Sequence, residues 1–95
     1  MSAYVLFEVK WKDQEARADY LRLLAPALAA HGGEVIARDN APSPLEGALV
    51  EPGCSLVLLA FADRAAAERW HTSEEYRPAH EIRERAADTR AVAFG

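Results

Sequence analysis

Cysteine, histidine and long apolar runs are scarce in this chain. One cysteine and three histidines stand among 95 residues. A lone cysteine, Cys54, cannot close an internal disulfide, which fits a reducing cytoplasm. No apolar run approaches the roughly 20 residues of a membrane helix, and no signal peptide opens the chain, so a cytoplasmic protein with no membrane partner is expected. Basic residues are outnumbered 11 to 15 by acidic ones, for a net charge of −4. That argues against a nucleic-acid binder, which needs a basic stripe for phosphates. The sequence contains no G-x-G-x-x-G, P-loop, Gly-x-Ser-x-Gly or His-Glu-x-x-His pattern. Tightly bound nucleotide or metal cofactors are therefore not expected, whereas cofactor-free chemistry leaves no such signature.

The scarce residues do not cluster as ligands. His31, His71 and His80 have no zinc-type spacing with one another or with Cys54. His71, Glu74 and Glu75 fall at i, i+3 and i+4 on a helical face, but a solvated polar face is the simpler reading, and no metal is expected. Cys54 reads as a small hydrophobe in a strand, since neither a histidine nor a helix N-terminus adjoins it in sequence to activate the thiol.

Alanine is abundant instead. With 20 alanines set aside, the 51% hydrophobic fraction shrinks to about 28 larger residues, a thin core for one small domain spanning 1–95. Ala3 to Trp11 alternates and is rich in β-formers, so it reads as a strand. Asp13 caps a helix running to about His31, stopped by Gly32 and Gly33, with a kink or break expected at Pro26. Glu34 to Asn40 reads as a second strand, and 41–53, with three prolines, as a long loop or edge hairpin. Cys54 to Phe61 forms a third strand. Asp63 caps a helix through Trp70; Ser73 restarts it across Pro78 toward Ala87, and Arg90 to Phe94 is a short fourth strand. The two halves echo each other at an offset of 50: Trp11-Lys12-Asp13 with Tyr20, and Phe61-Ala62-Asp63 with Trp70. Element order and echo together predict an α+β, ferredoxin-like βαββαβ sandwich, a four-stranded antiparallel sheet with two helices on one face.

An even offset preserves which side of the sheet a residue faces. Val5, Phe7, Val9 and Trp11, with Ser55, Val57, Leu59 and Phe61, face the helices. Tyr4, Leu6, Cys54, Leu56 and Leu58 face the other way, where the chain has no cover. Such a patch is unusual on a monomer, and its burial at about 25 cal/mol per Å² is worth several kcal/mol before association costs. A homodimer packed sheet on sheet is the expectation.

Y-V-L-F-E-V (Tyr4 to Val9), A-H-G-G-E-V-I-A-R (Ala30 to Arg38), L-E-G (Leu45 to Gly47) and W-H-T-S-E-E-Y (Trp70 to Tyr76) occur in order over the whole chain. In these the chain resembles a small bacterial domain-of-unknown-function family of the dimeric α/β-barrel superfamily. The resemblance implies a ferredoxin-like protomer, a homodimer closed through its sheets and no established activity. Superfamily members include cofactor-free monooxygenases, muconolactone-type isomerases and haem-degrading proteins, which hold small organic molecules between sheet and helices or between the two sheets. The chain departs from the family pattern at Asp39-Asn40, His71 and Glu74.

The candidate ligand-binding residues are Arg38, Trp70, His71, Ser73, Tyr76 and Arg83. Trp70, Ser73 and Tyr76 are spaced to share a helical face, either as core aromatics around a capping serine or as walls of a small pocket. His71, with an ordinary pKa near 6.5, is the candidate general base. Arg38 or Arg83 would anchor a substrate anion, or would pair structurally with Glu8 or Glu34. Arg77, Glu81, Glu84 and Arg85 read as a solvated surface. Two readings follow: a dimer that binds a small organic molecule, with cofactor-free isomerase or monooxygenase-like chemistry on an activated carbonyl or phenol, or a non-catalytic binding module without turnover.

Overall fold

Alternation in the first strand is realised almost residue by residue. In β1 (Ala3–Trp11) Ala3, Val5, Phe7 and Val9 are buried and the residues between them are not. The computed structural model describes residues 2–47 and 52–95. After β1 come α1 (Gln14–Ala30), β2 (Glu34–Asp39), β3 (Ser55–Phe61), α2 (Arg64–His71), α3 (Arg77–Ala86) and β4 (Ala87–Phe94). The four strands form one antiparallel sheet in the order β2-β3-β1-β4, the ferredoxin-like arrangement. All helices lie on one face of a slab 16 Å thick, one layer of sheet and one of helix. No helix among the described residues is long and apolar enough to cross a membrane.

The two halves are capped alike. Asp13 Oδ1 accepts from the backbone N–H groups of Glu15 and Ala16, at 2.9 and 3.2 Å, and Asp63 Oδ1 accepts from that of Ala66 at 2.7 Å. Each carboxylate satisfies donors that no helical carbonyl can reach. The aromatics seven residues on, Tyr20 and Trp70, both end up buried.

Some local expectations hold and others are corrected. α1 runs unbroken through Pro26; Pro26 and Arg22, whose carbonyl loses its helical donor, both sit on the exposed side, where a freed carbonyl is open to solvent. The stop near Trp70 and the first-turn place of Pro78 are as expected, but the helix restarts at Arg77 rather than Ser73, because residues 72–76 turn the chain. β4 begins at Ala87 rather than Arg90, and pairs with β1 from Trp11 to Tyr4. Of the proline-rich segment, 48–51 lies outside the described residues, and the rest has neither strand nor helix.

β2 is an exposed edge strand with an irregularity that matters later. Val35 pairs with Leu59 and Ala37 with Leu58, so Ile36 is an extra residue. Beyond this bulge the side-chain alternation is reversed. Arg38 pairs with Val57, whose side faces the helices, whereas unbroken alternation from Val35 would have put it on the open face.

The core lies between sheet and helices. Alanines 66, 67 and 79 are buried in it, and the Ala-rich α2 packs closely on β1, β3 and β4 while α1 leans on α3. The opposite face is bare: Leu6, Leu56 and Leu58 are only half-buried, and Val92 and Phe94 at its edge are 58% and 44% exposed. Cys54 is buried. Gly33, after α1, lies against the Phe61 ring; a Cβ there would sit 2.5 Å from Phe61 Cε1. Gly33→Ala should therefore lower stability by about 1–3 kcal/mol through overpacking. Urea unfolding followed by circular dichroism measures this, and an unchanged midpoint would show that Phe61 gives way freely.

Candidate functional site

The turn between α2 and α3 is built by Ser73. Its hydroxyl donates to the Trp70 carbonyl oxygen at 2.7 Å and accepts from the Tyr76 N–H at 3.2 Å. That hydroxyl is spent on backbone, and the turn it holds brings Trp70 and Tyr76 ring to ring, with centroids 4.1 Å apart. Both rings are fully buried. Trp70 also meets Phe61 and, edge on, Phe7. Its indole nitrogen has no hydrogen-bond partner among the described residues, a cost that buried tryptophans usually avoid.

Tyr76 carries the polar chemistry inward. Its hydroxyl lies 2.8 Å from that of Tyr20 and accepts from Arg83 Nε at 3.2 Å. Arg83 is only 4% exposed, stands over the Phe7 ring at 5.0 Å and has no carboxylate partner within salt-bridge distance among the described residues. A buried guanidinium held by hydroxyl and ring rather than by a counter-ion keeps much of its charge unneutralised. Tyr20 ionises far above the ordinary phenol range, chiefly because burial disfavours the phenolate and also because Tyr76 lies so close. It remains a neutral hydroxyl at any working pH.

His71 occupies the outer side of this cluster. Its ring lies 4.7 Å from that of His80 and 6.1 Å from those of Tyr76 and Trp70. Burial first, then the His80 and Arg83 charges, hold its pKa below the usual histidine value, against a smaller opposing pull from Glu84. His71 is therefore a neutral imidazole at pH 7, able to accept a proton or hydrogen bond. It lines, with Trp70, Glu68, Thr72 and the β4 residues Ala91 and Ala93, a groove of about 320 Å³ between α2 and the edge of the sheet. The groove exists because β4 offers two alanines where a larger residue would fill the space under α2.

The six candidate residues thus fall in different places. Trp70 and His71 wall the groove; Tyr76 and Ser73 lie behind it. Arg38 lies elsewhere, at the sheet edge, bordering both a narrow cleft between α1 and the sheet and a hollow on the open face beside Leu56 and Leu58. Arg83 is buried below the aromatic cluster. The ion pairs expected of Arg38 or Arg83 with Glu8 or Glu34 do not form: Glu8 meets Arg90 at 2.6 Å, its direct cross-strand partner on β4. Nor do His71, Glu74 and Glu75 converge; Glu75 pairs with His31 at 2.7 Å and Glu74 with Arg77, and no cluster among the described residues is placed to hold a metal. Sequence reading placed Tyr20 as the counterpart of Trp70 but missed the partner of its hydroxyl, and it missed the alanines of β4. A signal for Tyr20 was present: a tyrosine on a buried helical face must find its hydroxyl a partner.

A family model described as a domain of unknown function, DUF1330, matches residues 2–94. Among solved structures, a protein of unknown function from Rhodopseudomonas palustris is 23% identical, with a TM-score of 0.79 over 98% of this chain and 80% of that one. A dimeric ferredoxin-like protein of unknown function from Jannaschia is 15% identical, with a TM-score of 0.67 over 100% and 99% of the two chains. SnoaB, a cofactor-independent oxygenase from Streptomyces nogalater, is 10% identical, with a TM-score of 0.62 over 99% and 91%. At these identities the likeness is one of fold. No curated protein matches the chain.

The lowered pKa of His71 has a consequence for stability. The folded chain holds this proton less tightly than the unfolded chain, so stability present above pH 6.5 is lost as pH falls through that value. Glu75, lowered mainly by its hydrogen bond to His31, adds a loss of the same sign below its ordinary value of 4.5. The urea midpoint should therefore fall between about pH 7.5 and pH 5.5, and His71→Gln should flatten that slope. An unaltered slope in the variant would assign the pH dependence to other groups.

Proposed function

Since the chain belongs to the DUF1330 family, whose description carries no activity, its own surfaces must supply the reading, and we propose a homodimer that binds a small organic molecule in the groove between α2 and β4. One observation carries this: a space of about 320 Å³ whose wall combines a large aromatic, Trp70, with a neutral imidazole, His71. That volume lies at the lower end of small-molecule sites, and its make-up, mostly apolar with a few polar groups, is typical of them. His71 and Thr72 border one side of the ligand, with the buried Trp70 ring behind them, and Ala91 and Ala93 leave room on the other. His71 accepts the ligand's acidic hydrogen, that of a phenol or of carbon next to an activated carbonyl. Proton abstraction of this kind needs no cofactor, and SnoaB, on the same fold, is described as a cofactor-independent oxygenase.

Assembly completes the reading. The open face offers Tyr4, Leu6, Leu56 and Leu58, extended by Val92 and Phe94 on β4. A second copy of the same face covers it with matching chemistry, as the two-fold interfaces of homodimers do. The Jannaschia protein is described as dimeric, and this chain has the uncovered apolar face that such a dimer requires.

Two measurements test the reading. Light scattering after gel filtration should give twice the 10.4 kDa chain mass, and Leu58→Lys, placing a charge at the centre of the face, should give folded monomer. A wild-type monomer at micromolar concentration removes the dimer. Ligand-observed NMR with a panel of phenols and small lactones should yield binders that Ala91→Trp, filling the groove, weakens at least about tenfold. His71→Ala should spare binding more than turnover. Binders indifferent to Ala91→Trp would overturn the groove as the site.

A further inference from the structure

The bulge in β2 places a charge where an unbroken strand would not. By reversing the alternation at Ile36 it directs Arg38 to the helix side of the sheet, over the cleft beneath α1. The charged residues lining that cleft are Arg17 and Arg38; no carboxylate lines it. Arg83 lies just behind its Phe7 wall, itself without a carboxylate partner among the described residues. Two cations, Arg17 and Arg38, thus line this cleft in a chain of net charge −4.

The tyrosines add a second observation. Arg83 only donates, and Tyr20 and Tyr76 share a single hydrogen bond, 2.8 Å long. Two hydroxyl hydrogens enter that pair and one is used. The other has no oxygen or nitrogen acceptor among the described residues, although both side chains are buried. Tyr20 lines the cleft beside Trp11, ring centroids 5.3 Å apart, and Val9, Leu24 and Val57 complete an apolar wall. Cationic rim, aromatic wall and spare hydroxyl hydrogen all call for one kind of occupant.

We propose that the cleft between α1 and the sheet is a second ligand site, distinct from the α2–β4 groove, that takes a small aromatic carboxylate. Arg38 receives the carboxylate, as a planar guanidinium does in two parallel hydrogen bonds. The ring lies along Trp11 and Val57, and the tyrosine pair offers its spare hydrogen to an oxygen of the ligand. The enclosed space is about 30 Å³, room for a water-sized occupant. A ring therefore enters by swinging aside Arg17 and Leu21, the half-buried side chains of α1 that border the cleft. Arg17, which donates to Asn40 Oδ1 at 2.7 Å, then closes over the bound anion. The Phe7–Trp70 edge-to-face contact separates the cleft from the groove.

Isothermal titration of the full chain with benzoate, and with benzamide as a neutral isostere, tests the proposal. Benzoate should bind one per chain and benzamide at least about tenfold more weakly. Arg38→Gln, at an exposed position, should weaken benzoate about tenfold, and Tyr20→Phe several-fold; thermal melts confirm that each variant is folded. His71→Ala should leave benzoate binding unchanged, which separates this site from the groove. The proposal is overturned by no heat of binding up to about 10 mM benzoate, by equal binding of benzamide, by indifference to Arg38→Gln, or by loss of binding in His71→Ala.

Discussion

Tyr76 is the point at which the helical layer is tied to itself and to the sheet. Its ring lies against Trp70 of α2 and stacks on His80 of α3. Its hydroxyl reaches Tyr20 of α1 and Arg83 of α3, and Arg83 in turn covers Phe7 of β1. Without this residue the bend between α2 and α3 would lose its inner wall, and Arg83 would lose the oxygen that makes its burial tolerable. A thin, alanine-diluted core leaves few large side chains to do this work. Trp70, Tyr76 and Leu59 are the bulkiest that are fully buried, and two of the three belong to this cluster. The cost is visible too: the indole N–H of Trp70 has no partner among the described residues.

Much of this fold was legible in the sequence because it rests on period and capping, which are local. The alternation of Val5, Phe7 and Val9, the two aspartate caps and the half-to-half echo each reflect interactions within about ten residues, and each appears in the structure. The misread points depend on distant partners. Pro26 leaves α1 intact because it lies on the exposed side of the helix, a fact set by how α1 packs. The early start of β4 depends on pairing with β1, some eighty residues away. Ser73 is similar: its spacing suggested either a cap or a pocket hydroxyl, and only the turn geometry shows that both of its hydrogen-bonding capacities go to backbone.

The site was legible by composition and misread in its convergence. Trp70, His71 and Tyr76 do gather, since they are close in sequence and the turn folds them together. Arg38 does not join them, because a one-residue bulge at Ile36 decides its side of the sheet, and no periodicity reveals a bulge in a six-residue strand. Glu8 found Arg90 rather than Arg38 or Arg83 for the same kind of reason: the partner directly opposite on the neighbouring strand has the shortest reach.

These placements divide the helix side of the sheet into two environments of unlike electrostatics. Around His71 the groove has Glu68 on its rim and a neutral imidazole on its wall, so an anionic ligand gains no counter-charge there. Around Arg38 the cleft has guanidinium groups and no carboxylate, so a neutral ligand would leave those charges unanswered. Arg83 connects the two: its charge helps hold His71 neutral on one side and adds positive field behind Phe7 on the other.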